Sequence, residues 1–218
     1  VPAMFDLFVT PLVSVFVTGY LTLAAIGPVF TKLENSIITG VQALITLPFG
    51  VGSFIMGGLY AITVVAGIHH MYTLIDLGQL ARYGYTYWLP LASAANVAQG
   101  GAALAVALKT KDTKVKSMAL PSALSACMGI TEPAIFGVNL RYVRPFVCAM
   151  VGGAVGAWFG TVTGIGATAY GVTGLPGFLI VGGYILPYAE LLALSGGVAF
   201  AATWLFWQDA PAQDKTPG

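Results

Sequence analysis

The chain has 218 residues, of which 57% are hydrophobic and only 8% charged, with a formal net charge of +1. A soluble domain carries roughly 25% charged residues, so this composition excludes an ordinary soluble surface and points to an integral membrane protein. The balanced charge carries no electrostatic footprint for nucleic acid.

Crossing a bilayer as a helix takes about 20 apolar residues. Taken in chain order, the first such run covers residues 7–30 and is expected to end at Gly27-Pro28. The start of the chain has neither an initiator Met nor a basic leader region, and reads as the middle of a longer polytopic protein. The second run, 36–66, contains Pro48 and a cluster of glycines, and is expected to be broken or tilted. Residues 67–87 follow, with His69, His70, Asp76 and Arg82 between apolar flanks, and do not read as a span. Asp76 and Arg82 are expected to pair or cap locally. The third run covers 88–108 and holds two buried-depth amides, Asn96 and Gln99, that can tie helices together or bond a polar ligand.

The loop at 109–116, KTKDTKVK, carries four lysines beside one aspartate. It is expected to be solvated and cytoplasmic, since loops rich in lysine stay inside. Parity then puts Lys32 and a polar tail, residues 208–218, on the same side. Residues 117–128 are apolar for too short a stretch to cross, and 133–140 is shorter still. Together they read as a re-entrant hairpin whose tip is GITEP, residues 129–133. The fourth run covers 146–170. The fifth covers 178–207, with an expected kink at Pro187. Trp88, Trp204 and Trp207 fall near predicted ends, where aromatic belts form. No repeat of fixed period is visible.

The tip has a local logic. Gly129 suits the left-handed position that ends a helix, and Pro133 suits the first turn of the next one, at N1. Thr131 or Glu132 then lies at or beside the N-cap. Non-helical backbone at membrane depth survives where protein buries it or where it lines a watery cavity. An ionisable group there is a functional candidate by default. A carboxylate offers two acceptor oxygens, which suits adjacent hydroxyls on a sugar, or alternatively a proton or sodium site.

The His69-His70 pair can supply a neutral imidazole that accepts a hydroxyl proton near neutral pH. On a helix the two would point about 100° apart, so one is expected at the cavity and the other elsewhere. The pair lacks the i, i+4 spacing of zinc ligands. Cys127 and Cys148 have no basic neighbour to stabilise a thiolate and read as packing residues. No metal and no cofactor is expected. Asn139, Arg141 and Arg144 can reach the interface or attract a phosphate.

These pieces resemble the sugar-transporting enzyme IIC domain of the bacterial phosphoenolpyruvate-dependent phosphotransferase system (PTS), glucose superfamily. The resemblance rests on GIHH at 67–70, the basic loop, SMALPSALSA at 117–126 and GITEPAIFGVNLRYVRPF at 129–146, in that order. TEPAIFGVNLR is similar to the sucrose, β-glucoside and trehalose branch, and residues 67–112 are most similar to sucrose-specific members. The resemblance implies an all-α integral membrane fold: a polytopic helical bundle with interrupted helices and re-entrant hairpins, forming a homodimer in the bacterial cytoplasmic membrane. Residues 1–207 would be the C-terminal, sugar-binding part of the EIIC domain, and 208–218 a cytoplasmic tail. The EIIB domain and the N-terminal EIIC helices would lie outside this chain.

The resemblance also implies that sugar, sucrose above all, binds against Glu132 and a histidine of GIHH; His69 is expected to bind it with Thr131, Asn96 and Asn139, and His69 or His70 to act as the catalytic base. Phosphate would come from a phosphocysteine on EIIB, supplied in turn by EIIA, HPr and enzyme I. Two other classes stay open on the residues alone. One is a secondary transporter coupling sugar or another solute to H⁺ or Na⁺ through Glu132. The other is a membrane sensor that binds without flux.

Overall fold

The structure, a computed structural model, describes residues 3–45 and 47–209; the tail from residue 210 onward lies outside them. It divides into two compact units, Val1–Val41 and Gln42–Gly218. Every regular element among the described residues is helical, apart from an isolated antiparallel bridge between Thr86 and Ala167. Five helical stretches are long and apolar enough to cross a membrane: Val9–Val29, Pro48–Val65, Trp88–Lys109, Arg144–Val162 and Gly182–Phe206. The expected all-α membrane bundle is therefore what the chain forms.

In the first unit, α1 (Ala3–Leu21) runs through a π-helical turn (Thr22–Ile26) into α2 (Gly27–Ile45). The expected stop at Gly27-Pro28 does not occur. Pro28 removes one ladder donor and crowds the preceding turn. The wider turn absorbs this, with the Gly27 N–H reaching back to Thr22 O, as π-bulges do within continuing helices.

In the second unit, the break expected near Pro48 is present. Leu47 is extended, and Phe49 and Gly50 take positive φ (60° and 70°) before α3 (Val51–Val65) begins. Residues 67–87 form a 3₁₀ turn (Ile68–Met71), then α4 (Tyr72–Tyr83), which is too short to span. Next comes α5 (Trp88–Lys109), the centre of the unit. Small and apolar residues surround α5 on every side (ASAANVAQGGAALAVA), so it has no polar face to offer water and nearly all of it is buried.

Close helix approach depends on small residues. A Cβ on Gly101 would lie 2.3 Å from Gly196 O, and one on Gly57 would lie 2.6 Å from Gly153 O. These contacts bring α10 (Ile185–Phe206) against α5, and α9 (Arg144–Val162) against α3.

The expected helix–break–helix hairpin is present, with shifted ends. α6 (Thr113–Cys127) starts inside the lysine stretch, because the Asp112 carboxylate accepts the Lys114 N–H at 2.8 Å and caps it. The return arm is α7 (Glu132–Ala134), a π turn (Ile135–Asn139) and α8 (Leu140–Tyr142). Pro187 lies in the first turn of α10 and introduces no mid-helix kink. Of the three tryptophans expected in aromatic belts, Trp88 and Trp207 are buried. Trp88 stacks edge-on against Tyr72, and Trp207 against Tyr142. The fourth run stays helical only to Val162; residues 163–184 form an irregular segment of turns and short 3₁₀ pieces.

Asp209 accepts from Thr110 Oγ1 and from the Lys111 N–H, both at 2.8 Å. The Lys109 ammonium donates to the carbonyls of Trp204 and Trp207. The end of α10 and the lysine loop therefore lie on one side of the second unit, as the parity argument requires.

Candidate functional site

The tip residues build a cavity wall. Met128 ends α6, and Gly129 follows at φ 96° with its N–H on Ala126 O. A Cβ there would lie 2.9 Å from Thr173 O, so glycine meets both a backbone and a space requirement. Thr131 takes the N-cap position, Glu132 is N1 and Pro133 is N2, one place later than expected. Neither Thr131 nor any other side chain caps this short helix. The Glu132 carboxylate is not spent on backbone donors and remains 47% exposed, with Oε1 3.7 Å from His69 Nε2.

A cavity of about 200 Å³ lies between them. His69, His70, Thr131, Glu132 and Asn96 all line it; Asn139 does not. Asn139 is fully buried, and its Nδ2 donates to Gln99 O at 2.9 Å and to Gln99 Oε1 at 2.8 Å. This ties the return arm of the hairpin to α5, a packing role in place of the expected ligand contact. Asn96 donates to Thr173 Oγ1 at 2.8 Å and to Gly129 O at 3.5 Å, so it holds the cavity floor as well as facing it.

Both histidines reach the same cavity, contrary to the helical argument. They sit on a 3₁₀ turn after Gly67 (φ 75°) and not on an α-helix, with ring centroids 4.0 Å apart. Burial, and secondarily the neighbouring His70, lower the pKa of His69; Glu132 opposes this only in part. Both lowering effects favour the neutral imidazole, the form able to accept a proton.

A direct hydrogen bond needs roughly 2.7–3.2 Å, so the 3.7 Å gap between His69 and Glu132 is too wide for one. An oxygen about 2.8 Å from both atoms completes a triangle on that base. One hydroxyl can therefore accept from an imidazole N–H while it donates to the carboxylate, or two neighbouring hydroxyls can donate one to each.

Asp76 and Arg82 do not pair. Asp76 is buried in the cavity wall and bonded to Thr86, while Arg82 lies over the Tyr83 ring. Arg144 Nη1 donates to Phe206 O at 3.4 Å, and Arg141 lies over the Tyr142 ring. Neither arginine lines the cavity.

Sequence reading missed one contributor to the site. Tyr170, Gly171 and Thr173 complete the wall from the irregular segment 163–184. Tyr170 OH lies 3.0 Å from Thr73 Oγ1. The signal was available in the run GIGATAYGVTGLPG, where six turn-prone Gly and Pro residues interrupt an apolar stretch. A larger cavity of about 570 Å³, between the starts of α3 and α5 and the end of α9, is mostly apolar and holds none of the candidate residues.

No group of three or more metal-binding side chains occurs among the described residues. The wall has hydroxyls, amides, imidazoles and two carboxyls, with no Lys or Arg among its lining residues. Such a wall suits an uncharged ligand with many hydroxyls.

The profile of the phosphotransferase system EIIC family matches residues 1–153. The PTS sucrose-specific EIIBC component of Bacillus subtilis (strain 168) is 44% identical over 206 residues, covering 94% of this chain and 44% of that protein. Its counterpart from Salmonella typhimurium is 42% identical over 207 residues, covering 93% of this chain and 45% of that protein. The PTS trehalose-specific EIIBC component of Bacillus subtilis (strain 168) is 36% identical over 207 residues, with 94% and 44% covered. The chain thus spans less than half the length of these curated relatives. No solved structure matches it.

Proposed function

The chain belongs to the phosphotransferase system EIIC family, and on that premise we propose that it is the C-terminal, sugar-binding part of a sucrose permease in the bacterial cytoplasmic membrane. The permease phosphorylates its sugar as it carries it across. The observation that carries this reading is the facing of His69 Nε2 and Glu132 Oε1 across 3.7 Å at the mouth of a hydroxyl- and amide-lined cavity. The choice of sucrose is supported by the names of the Bacillus subtilis and Salmonella typhimurium sucrose-specific relatives, 44% and 42% identical to this chain.

In this reading Glu132 accepts hydrogen bonds from sugar hydroxyls, and Thr131 and Asn96 complete the grip. His69 takes the proton of the acceptor hydroxyl, with His70 beside it. The phosphocysteine of an EIIB domain supplies the phosphoryl group. Its S–P bond breaks as the sugar O–P bond forms, the thiolate leaves, and the hydroxyl proton passes to His69. Such transfer runs through a loose transition state, so positioning does most of the catalytic work. The product carries a phosphate into a wall holding two carboxyls and no fixed cation, which disfavours its return. EIIA, HPr and enzyme I would feed EIIB, and the EIIC domains would pair as a homodimer.

The test uses the full-length transporter in membranes with the soluble phosphotransferase proteins and labelled sucrose. Sucrose phosphate is expected only when phosphoenolpyruvate is present, with trehalose failing to compete. Sucrose entry that follows a proton gradient without phosphoenolpyruvate would overturn the reading in favour of ion coupling.

A further inference from the structure

Behind the cavity, α4 and the start of α5 are joined by a buried polar junction. Thr86 Oγ1 lies 2.5 Å from Asp76 Oδ1 and 3.1 Å from Gln79 Oε1, and it accepts the Trp88 N–H at 3.2 Å. Gln79 Oε1 also accepts the Tyr87 N–H at 2.9 Å, and Gln79 Nε2 donates to Gln42 Oε1 at 3.2 Å. Thr86 and Gln79 are fully buried and Asp76 is 4% exposed.

The protons must be shared out. A hydroxyl has one to give and two lone pairs, yet Thr86 touches two acceptor oxygens. Turning the Gln79 amide over does not help, because its nitrogen would then face the Tyr87 N–H. With an ionised Asp76, the Thr86 proton goes to one oxygen and the other contact sets lone pair against lone pair in a buried site, which is expensive. With a proton on Asp76 every group is matched. The carboxyl donates to Thr86, Thr86 donates to Gln79, and the two backbone N–H groups fill the remaining acceptors.

We propose that Asp76 is a positioning residue that works as a carboxylic acid: its proton completes the Asp76–Thr86–Gln79 chain and so fixes Trp88 and the rear wall of the cavity. Thr86 holds the Trp88 backbone, and the Trp88 indole packs on Tyr72 and Tyr60, with all three rings lining the cavity. The groups that share this cavity wall with Asp76 are Tyr60 from α3, His69 and His70 from the 3₁₀ turn, Tyr72 on its own helix, Glu132 from the hairpin and Tyr170 from the irregular segment. None is a fixed cation that would hold the carboxyl ionised. Burial pushes its pKa up to about 6 in the same direction, the Thr86 bond opposing.

The functional consequence rests on the proposed sugar site, so the experiment has one arm that does not. Purified full-length transporter in lipid is examined by infrared difference spectroscopy on either side of neutrality. A protonated-carboxyl C=O band on the acid side, shifted by D2O and missing in Asp76→Asn, is expected. An acid-side spectrum identical in wild type and Asp76→Asn would overturn the proposal.

In the second arm, Asp76→Ala is expected to raise the KM for sucrose about tenfold with little change in kcat, the size of one buried donor lost. Asp76→Asn, whose amide still donates to Thr86, is expected to restore the KM and remove the rise that the wild type shows as pH climbs through about 6. Asp76→Asn as impaired as Asp76→Ala would contradict the positioning role. Were no variant or wild type to turn over sucrose while the band remained, the substrate reading would fail and the proton on Asp76 would stand.

Discussion

Asn96 Nδ2 on α5 donates to Thr173 Oγ1 at 2.8 Å, joining the central helix to a loop 77 residues away in sequence. The same amide reaches Gly129 O at the hairpin tip at 3.5 Å. One side chain therefore holds together three parts of the cavity that the chain supplies separately. Thr173→Val removes the shorter bond and leaves a partly buried amide donor short of its partner. A loss of about 1–2 kcal/mol in ligand binding is expected, read as a weaker apparent affinity for labelled sugar with the fold intact by thermal unfolding.

Gly174 has φ 70° and ψ −143°, a region essentially closed to side chains, and a Cβ there would lie 2.3 Å from Cys127 O. Its N–H donates to Ser93 Oγ and its carbonyl accepts from Tyr188 OH. Gly174→Ala is expected to destabilise by about 3 kcal/mol or more, since strain of this kind alone is worth about 1–3. Gly197→Ala meets nothing within 4 Å on α10 and is expected to be neutral or slightly stabilising. Thermal unfolding of the two variants side by side checks the contrast.

Asp76 gives the fold a pH dependence with a definite sign. Its carboxyl rises from 3.8 to about 6 on folding, so the folded state holds the proton more tightly. The stability it contributes is present in full below about pH 4 and is lost as pH rises through about 6; two units are on the order of 3 kcal/mol at most. His69, lowered on folding, acts oppositely, adding stability above its unfolded value and losing it on acidification. The difference between wild type and Asp76→Asn isolates the carboxyl. The unfolding midpoint of the wild type is expected to fall relative to the variant as pH rises through that window.

The histidines are separable. His69 Nε2 faces Glu132, while His70 packs on its ring. His69→Ala is expected to lower sugar phosphorylation by about 10²–10⁴-fold, the usual contribution of a positioned base. His70→Ala should cost far less. Single-turnover transfer from phosphorylated EIIB reads the step directly, and equal losses in both variants would show that the roles are shared.

The hairpin tip was legible because Gly129 and Pro133 bracket three residues, Ile130 to Glu132, in a pattern that a helix–break–helix explains. The break at Pro48 was legible for the same reason. Other features were set by tertiary contacts that leave little trace in the sequence. Trp88 reads the same whether it lies in an interfacial belt or, as here, at the centre of an aromatic cluster. Asn139 reads the same whether it bonds a ligand or Gln99. Pro28 looked like a stop because the π turn that absorbs it has no compositional mark. The shared orientation of His69 and His70 depended on a short 3₁₀ turn, and local helix periodicity does not report such turns. Residues 163–184 were masked by their own hydrophobicity, although their glycines and prolines carried the signal.

Labelled sucrose phosphorylation by Glu132→Gln in the full-length transporter tests the central claim most directly. The amide keeps the size of the side chain and replaces one acceptor oxygen by a donor, so the sugar-anchoring geometry opposite His69 is lost while the hairpin remains. Phosphoenolpyruvate-dependent sucrose phosphate formation is expected to fall about a hundredfold, the scale of about 3 kcal/mol, with the variant still inserted in the membrane at wild-type level. Full activity in Glu132→Gln would contradict the account, because the carboxylate facing His69 would then be dispensable.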